Sequence, residues 1–154
     1  MEENFVDAGL GCNNPVKQLL QEATQEFGER EVSCIVSIGT GKPKVTGFKK
    51  SGFGLQRVLP TDLIKALASM ATDTEAEAIE MKERYRNCPG LYYRLNVDRG
   101  LESISLEEWE KLGEVKTHTM AYLQDEDVSQ KVDEIAKALI GMPTRTYSLG
   151  RLGI

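Results

Sequence analysis

An α/β fold, with helices flanking a mainly parallel sheet, is predicted by three features of the sequence. The segment Val32-Ser33-Cys34-Ile35-Val36-Ser37-Ile38 is short, β-branched and almost wholly apolar or small, which is how a strand covered on both faces reads. A helical pattern lies between Phe5-Val6 and this segment. Strand, helix, strand within about forty residues is a βαβ unit, for which a right-handed crossover is expected. A long helical pattern then leads into Leu91-Tyr92-Tyr93-Arg94-Leu95-Asn96-Val97, whose alternation predicts another strand.

The elements follow in order. Phe5-Val6 ends a strand and gives way to the turn Asp7-Ala8-Gly9-Leu10-Gly11. Asn14 suits a helix N-cap, because its side-chain oxygen accepts an orphan backbone N–H. Pro15 suits the first helical position, where its missing donor costs nothing. Val16, Leu19, Leu20, Ala23 and Phe27 form a buried stripe, and Gly28 is a natural stop. Gly39 to Pro60 reads as a long loop rich in Gly and Lys. Thr61 to about Asn87 reads as one helix with Leu63, Leu67, Ala71, Thr74, Ala78, Met81 and Tyr85 inward, ended by Pro89-Gly90. In the next strand Leu91, Tyr93, Leu95 and Val97 face the core, and Tyr92, Arg94 and Asn96 face solvent. Ser105-Leu106-Glu107-Glu108 is a capping box opening a short helix, with Trp109, Leu106 and Leu112 as a packing anchor. Helices are expected over Glu114–Leu123 and Asp127–Ile140, the latter burying Val128, Val132, Ile135 and Leu139. Gly141 to Ile154 reads as a loose tail.

Composition narrows the function classes. At 154 residues the chain is one domain at most, or a piece of a larger one. With 40% hydrophobic and 28% charged residues it is globular rather than disordered. Its net charge of -5 argues against a general nucleic-acid binder, which needs a basic surface. The charge is uneven. Gly39 to Pro60 holds five basic residues (Lys42, Lys44, Lys49, Lys50 and Arg57) and no acidic ones, leaving -5 minus +5, or -10, on the rest. Three widely spaced cysteines, Cys12, Cys34 and Cys88, form neither a C-x-x-C pair nor a disulfide framework. Together with an acidic N-terminus lacking an apolar segment, they predict a cytoplasmic protein, peripheral at membranes if its basic loop meets one.

Few residues point to chemistry. Asp7 stands where a strand ends and a helix begins, the edge at which α/β sheets gather ligands and catalytic groups. It reads either as a carboxylate that activates a nucleophile or as an Asx-turn bonding backbone N–H groups two residues on. Gly39-Thr40-Gly41-Lys42 is not a phosphate loop, since Val36 stands where glycine is needed and Pro43 where Ser or Thr is. The loop around Lys42, Lys44, Lys49 and Lys50, with Phe48 and Phe53, reads as a solvated loop or as a contact with an anionic lipid surface. His118 is the single histidine and has no marked partner. No cofactor or metal is indicated.

Phe5-Val6-Asp7-Ala8-Gly9-Leu10-Gly11-Cys12-Asn13-Asn14-Pro15, an amphipathic helix, and then Val32 to Ile38 running into Gly39-Thr40-Gly41 resemble the C-terminal half of the patatin-like phospholipase family. Tyr93-Arg94-Leu95-Asn96-Val97 and Leu106-Glu107-Glu108-Trp109 resemble its later part. The resemblance implies a portion of a three-layer patatin-like fold over residues 1–140, with 141–154 outside it. It also implies a serine–aspartate dyad in which Asp7 is the catalytic acid and Ala8 and Gly9 form the motif turn. Ala8 departs from the usual glycine there. The resemblance further implies a lipid or phospholipid substrate, no metal, and a nucleophile in a G-x-S-x-G elbow. No such elbow occurs in these residues, and no glycine-rich oxyanion turn precedes Asp7. The expectation is therefore part of a lipid acyl hydrolase that supplies the aspartate, with the serine preceding Met1 or belonging to another chain. The alternative is an inactive remnant acting as an interaction module.

Overall fold

The computed structural model describes residues 12–41, 61–102, 104 and 108–152. Phe5-Val6, the turn at Asp7, the basic loop and the Ser105 capping box lie outside the described residues. Among those described, the chain is mixed α/β, with four α-helices and two small sheets.

The expected partner of Val32 to Ile38 in a βαβ unit, Phe5-Val6, lies outside the described residues, and the parallel pairing that is described joins other strands. Strand β2 (Ile35–Ile38) runs parallel to β3 (Tyr92–Leu95), with Ile35 opposite Tyr92 and Ile38 opposite Leu95. Helix α2 (Thr61–Arg84) lies between them in sequence, so β2–α2–β3 is a parallel crossover unit. Of the expected stripe, Ala78 and Met81 are buried, as is Tyr85 just past the end of the helix, while Thr74 is half-buried. Helix α1 (Val16–Phe27) packs Val16 and Leu20 into the same core, beside Ile35, Met81, Tyr85 and Leu91.

Several elements differ from expectation, each for a local reason. Val32 to Ile38 is not one strand. Glu31–Val32 forms β1, which pairs antiparallel with β4 (Tyr147–Ser148). The chain changes partner at Ser33-Cys34, after which the Ile35 N–H bonds to the Leu91 carbonyl at 2.6 Å. Residues 142–152 are correspondingly not loose. Leu149 enters the core, its N–H bonds to the Arg30 carbonyl at 3.0 Å, and the Tyr147 hydroxyl donates to the Pro89 carbonyl at 2.8 Å. An apolar residue every few positions (Tyr147, Leu149, Leu152) holds this segment down.

Asn14 does not cap α1. The helix opens at Pro15, whose carbonyl accepts from the Leu19 N–H at 2.8 Å, and the buried Asn14 side chain turns inward. The buried stripe of α1 is narrower than its sequence pattern, because Leu19 and Phe27 are exposed. The Arg30 guanidinium covers one face of the Phe27 ring, 5.0 Å from its centroid. Trp109 is no packing anchor: it is 73% exposed in a 3₁₀ turn (Trp109–Lys111) leading into α3 (Leu112–Leu123). That helix fully buries none of its own residues, so the tryptophan beside it has no core to enter. Helix α4 (Glu126–Leu139) starts on a true cap, Asp125, which accepts from the Val128 N–H at 3.2 Å. It buries Val128 and Ile135, whereas Leu139 points to solvent.

Candidate functional site

Parallel strands end together, and the carboxyl ends of β2 and β3 carry a polar cluster beneath the start of α1. Ser37 lies opposite Arg94 in the register, so their side chains share a face. The Arg94 guanidinium donates through Nη1 to the Ser37 hydroxyl at 2.9 Å. Ser37 in turn donates to Asn14 Oδ1 at 3.1 Å, and Asn14 Nδ2 donates to the Thr74 carbonyl of α2 at 3.4 Å. Each member thus passes its donor to the next, and such chains polarise one another in the same sense. The relay joins β3, β2, the residue two places before α1, and α2.

A second set of bonds closes the strand ends. Asn96, just past β3, accepts the Gly41 N–H at Oδ1 (2.8 Å) and donates from Nδ2 to Glu75 at 3.1 Å. Its own N–H donates to the Tyr122 hydroxyl of α3 at 3.1 Å. Gly39 lies between the two sets, and any side chain there would displace their members. A Cβ there would stand 2.4 Å from Asn96 Oδ1 and 2.6 Å from Arg94 Nη2. Arg94 Nε is buried without a hydrogen-bond partner among the described residues.

Beside β3, a groove between α2 and α4 is lined by Glu75, Lys82, Tyr92, Arg94, Lys131 and Glu134. Tyr93 donates to Glu134 at 2.8 Å there. Burial first, and the bond and charge of Glu134 second, push the Tyr93 phenol up to about 12. Burial likewise raises Tyr92 and the Cys34 thiol. At the outer edge of α1, Lys17 is raised by its bonds to Glu80 (2.7 Å) and Glu77 (3.1 Å).

The site residues expected from sequence, Asp7 with Ala8 and Gly9, lie outside the described residues, as do Lys42, Lys44, Lys49 and Lys50. The structure instead brings together Asn14, Ser37, Arg94 and Asn96, none of which sequence reasoning placed in a site. A faint signal was present: three polar residues, Ser37, Arg94 and Asn96, stand towards the carboxyl ends of two predicted strands. His118 stays apart from the relay and packs against Gly100. No group of three or more potential ligands among the described residues could hold a metal ion. No described helix is long and apolar enough to cross a membrane.

Comparison with known proteins gives one informative likeness. The chain is 33% identical over 135 residues, 86% of its length, to calcium-independent phospholipase A2-gamma of Mus musculus. It spans only 16% of that protein's length. The similarity suggests a phospholipase-like family. No family model matches the chain, and no solved structure matches it.

Proposed function

From a likeness to a phospholipase that runs through most of the chain, we propose that these residues are part of a calcium-independent lipid acyl hydrolase of patatin-like fold. The substrate class is a phospholipid or related acyl ester. The observation that carries this reading is the 33% identity over 135 residues.

The mechanism is a serine–aspartate dyad to which this chain contributes the aspartate. Asp7 accepts the proton of a serine hydroxyl as that oxygen attacks the ester carbonyl. The proton then passes to the leaving alcohol, and water, deprotonated by the same carboxylate, releases the fatty acid. Backbone N–H donors of a glycine-rich turn stabilise the oxyanion. The serine and that turn come from outside these residues, because the 154-residue sequence contains no G-x-S-x-G elbow. The parallel β2–β3 pair supports the reading, since catalytic groups of α/β folds collect at the carboxyl ends of such strands. The Asn14–Ser37–Arg94 relay supports it as well, because it anchors the start of α1, seven residues after Asp7.

The test has two arms. The purified chain, treated with a fluorophosphonate probe, is expected to stay unlabelled. In a protein carrying these residues together with the nucleophile, Asp7→Asn is expected to lower ester hydrolysis by about 10²–10⁴-fold, the usual contribution of a positioned proton acceptor. Labelling of the chain alone, lost on a single Ser→Ala change, would show an independent nucleophile and defeat the division of labour. Full activity of the Asp7→Asn protein would remove Asp7 from the mechanism.

A further inference from the structure

We propose that the turn closing α4, Leu139-Ile140-Gly141-Met142, is a docking element for an anionic lipid surface. Three large apolar side chains lie within these four residues, and they are among the most exposed large apolar side chains of the described residues: Leu139 74%, Ile140 71% and Met142 69%. An isolated exposed leucine is ordinary; three together on one turn are a patch.

The turn holds them there rigidly. Gly141 has φ +79, the left-handed conformation that ends helices. The Met142 N–H bonds back to the Lys137 carbonyl at 2.8 Å, and the Gly141 N–H to the Ala138 carbonyl at 3.2 Å. These are the paired bonds of a Schellman motif, so the Lys137 and Ala138 carbonyls are satisfied without water. A built Cβ on Gly141 would meet nothing within 4 Å, so the turn is open at Gly141. An exposed apolar turn whose Lys137 and Ala138 carbonyls are bonded suits entry into a soft interface, where unsatisfied polar groups would be costly.

Charge selects the occupant. The acidic residues of α4 stop at Glu134, and from Ile135 to Ile154 the sequence holds Lys137, Arg145 and Arg151 with no Asp or Glu. Lys137 and Arg145, which flank the turn in sequence, are exposed. In a chain of net charge -5 this is a local reversal of sign. Apolar side chains between cations match a surface with an oily interior and anionic head groups. The membrane binding of this element does not depend on acyl hydrolysis.

Co-sedimentation of the 154-residue chain with vesicles tests the proposal. Vesicles of phosphatidylcholine alone are compared with vesicles also containing phosphatidylserine. Binding is expected to favour the anionic vesicles and to weaken with salt. Lys137→Gln and Arg145→Gln are each expected to lower binding to anionic vesicles by about fivefold, which is about 1 kcal/mol per cation. Ile140→Asn with Met142→Asn is expected to abolish binding, while the helical circular dichroism stays that of the unaltered chain. Binding that none of these changes alters would place the contact elsewhere and overturn the proposal. A lipid-free shift in sedimentation coefficient caused by Ile140→Asn with Met142→Asn would also overturn it, by showing that a second copy covers the turn.

Discussion

Replacing Gly39 by alanine probes the strand-end cluster with a single methyl group. Its φ lies outside the left-handed region, so alanine meets no backbone penalty there. Taken alone, Gly→Ala at such a position stabilises by about 0.4–1 kcal/mol, by restricting the unfolded chain. The methyl, however, would stand 2.4 Å from Asn96 Oδ1 and 2.6 Å from Arg94 Nη2, so both side chains must move. Moving Asn96 breaks its bond with the Gly41 N–H, a neutral bond with a net worth of about 1 kcal/mol. Moving Arg94 breaks its bond to Ser37, charge-assisted and worth about 1.5–3 kcal/mol, at the lower end because the guanidinium is only half-buried. The sum, less the unfolded-state gain, is a net loss of about 2 kcal/mol. Urea unfolding followed by far-ultraviolet circular dichroism measures it. The same substitution is then made in an Asn96→Ala background, where one obstacle is gone and the cost should fall by at least about 0.5 kcal/mol. A loss below about 0.5 kcal/mol in the unaltered background, the range of an indifferent surface change, would refute the crowding argument. So would an identical loss in both backgrounds.

Two further outcomes follow from the packing. Leu149→Ala, which empties a core position supplied by the C-terminal segment, is expected to cost about 2–5 kcal/mol in a urea titration. A cost below about 1 kcal/mol would show that this segment does not contribute to the core. Tyr93 is raised from 10.0 to about 12 in the folded chain, so the fold favours its neutral form. Its contribution to stability is fully present below pH 10, the unfolded value, and is lost as pH rises towards about 12. Ultraviolet difference spectra should show Tyr85, Tyr92 and Tyr93 ionising later than an unperturbed phenol, and Tyr93→Phe should reduce the amplitude of that late phase.

What could be read in the sequence was whatever a single periodicity decides. The spacing of Ala78, Met81 and Tyr85 identifies the inner face of α2 without help from any other element, and these residues are buried. Val128 and Ile135 do the same for α4. The β-branched character around Ile35 and the alternation from Leu91 predicted the two strands that pair in parallel. What failed was decided by partners distant in sequence. Ser33-Cys34 breaks a continuous apolar run only because Tyr147 and Ser148 capture its first part. Leu19, Phe27 and Leu139 continue good helical stripes but extend beyond what the small sheets can cover, so pattern alone over-counted the core.

The polar cluster was hidden for a more general reason. Alternation assigns Arg94 and Asn96 to solvent because they face away from Leu91, Tyr93 and Val97, and capping statistics assign Asn14 to its own helix. Both rules assume that a polar group is satisfied by water or by its neighbours in sequence. Here the groups satisfy one another across 23 and 57 positions, Ser37 with Asn14 and Arg94 with Ser37. Such a network is stable only when complete: removing one member leaves another buried without a partner, at a cost of about 1–3 kcal/mol. That interdependence ties the entry to α1 to the ends of β2 and β3. It is the requirement that a carboxylate at Asp7 would place on its surroundings if it is to meet a nucleophile in a fixed geometry.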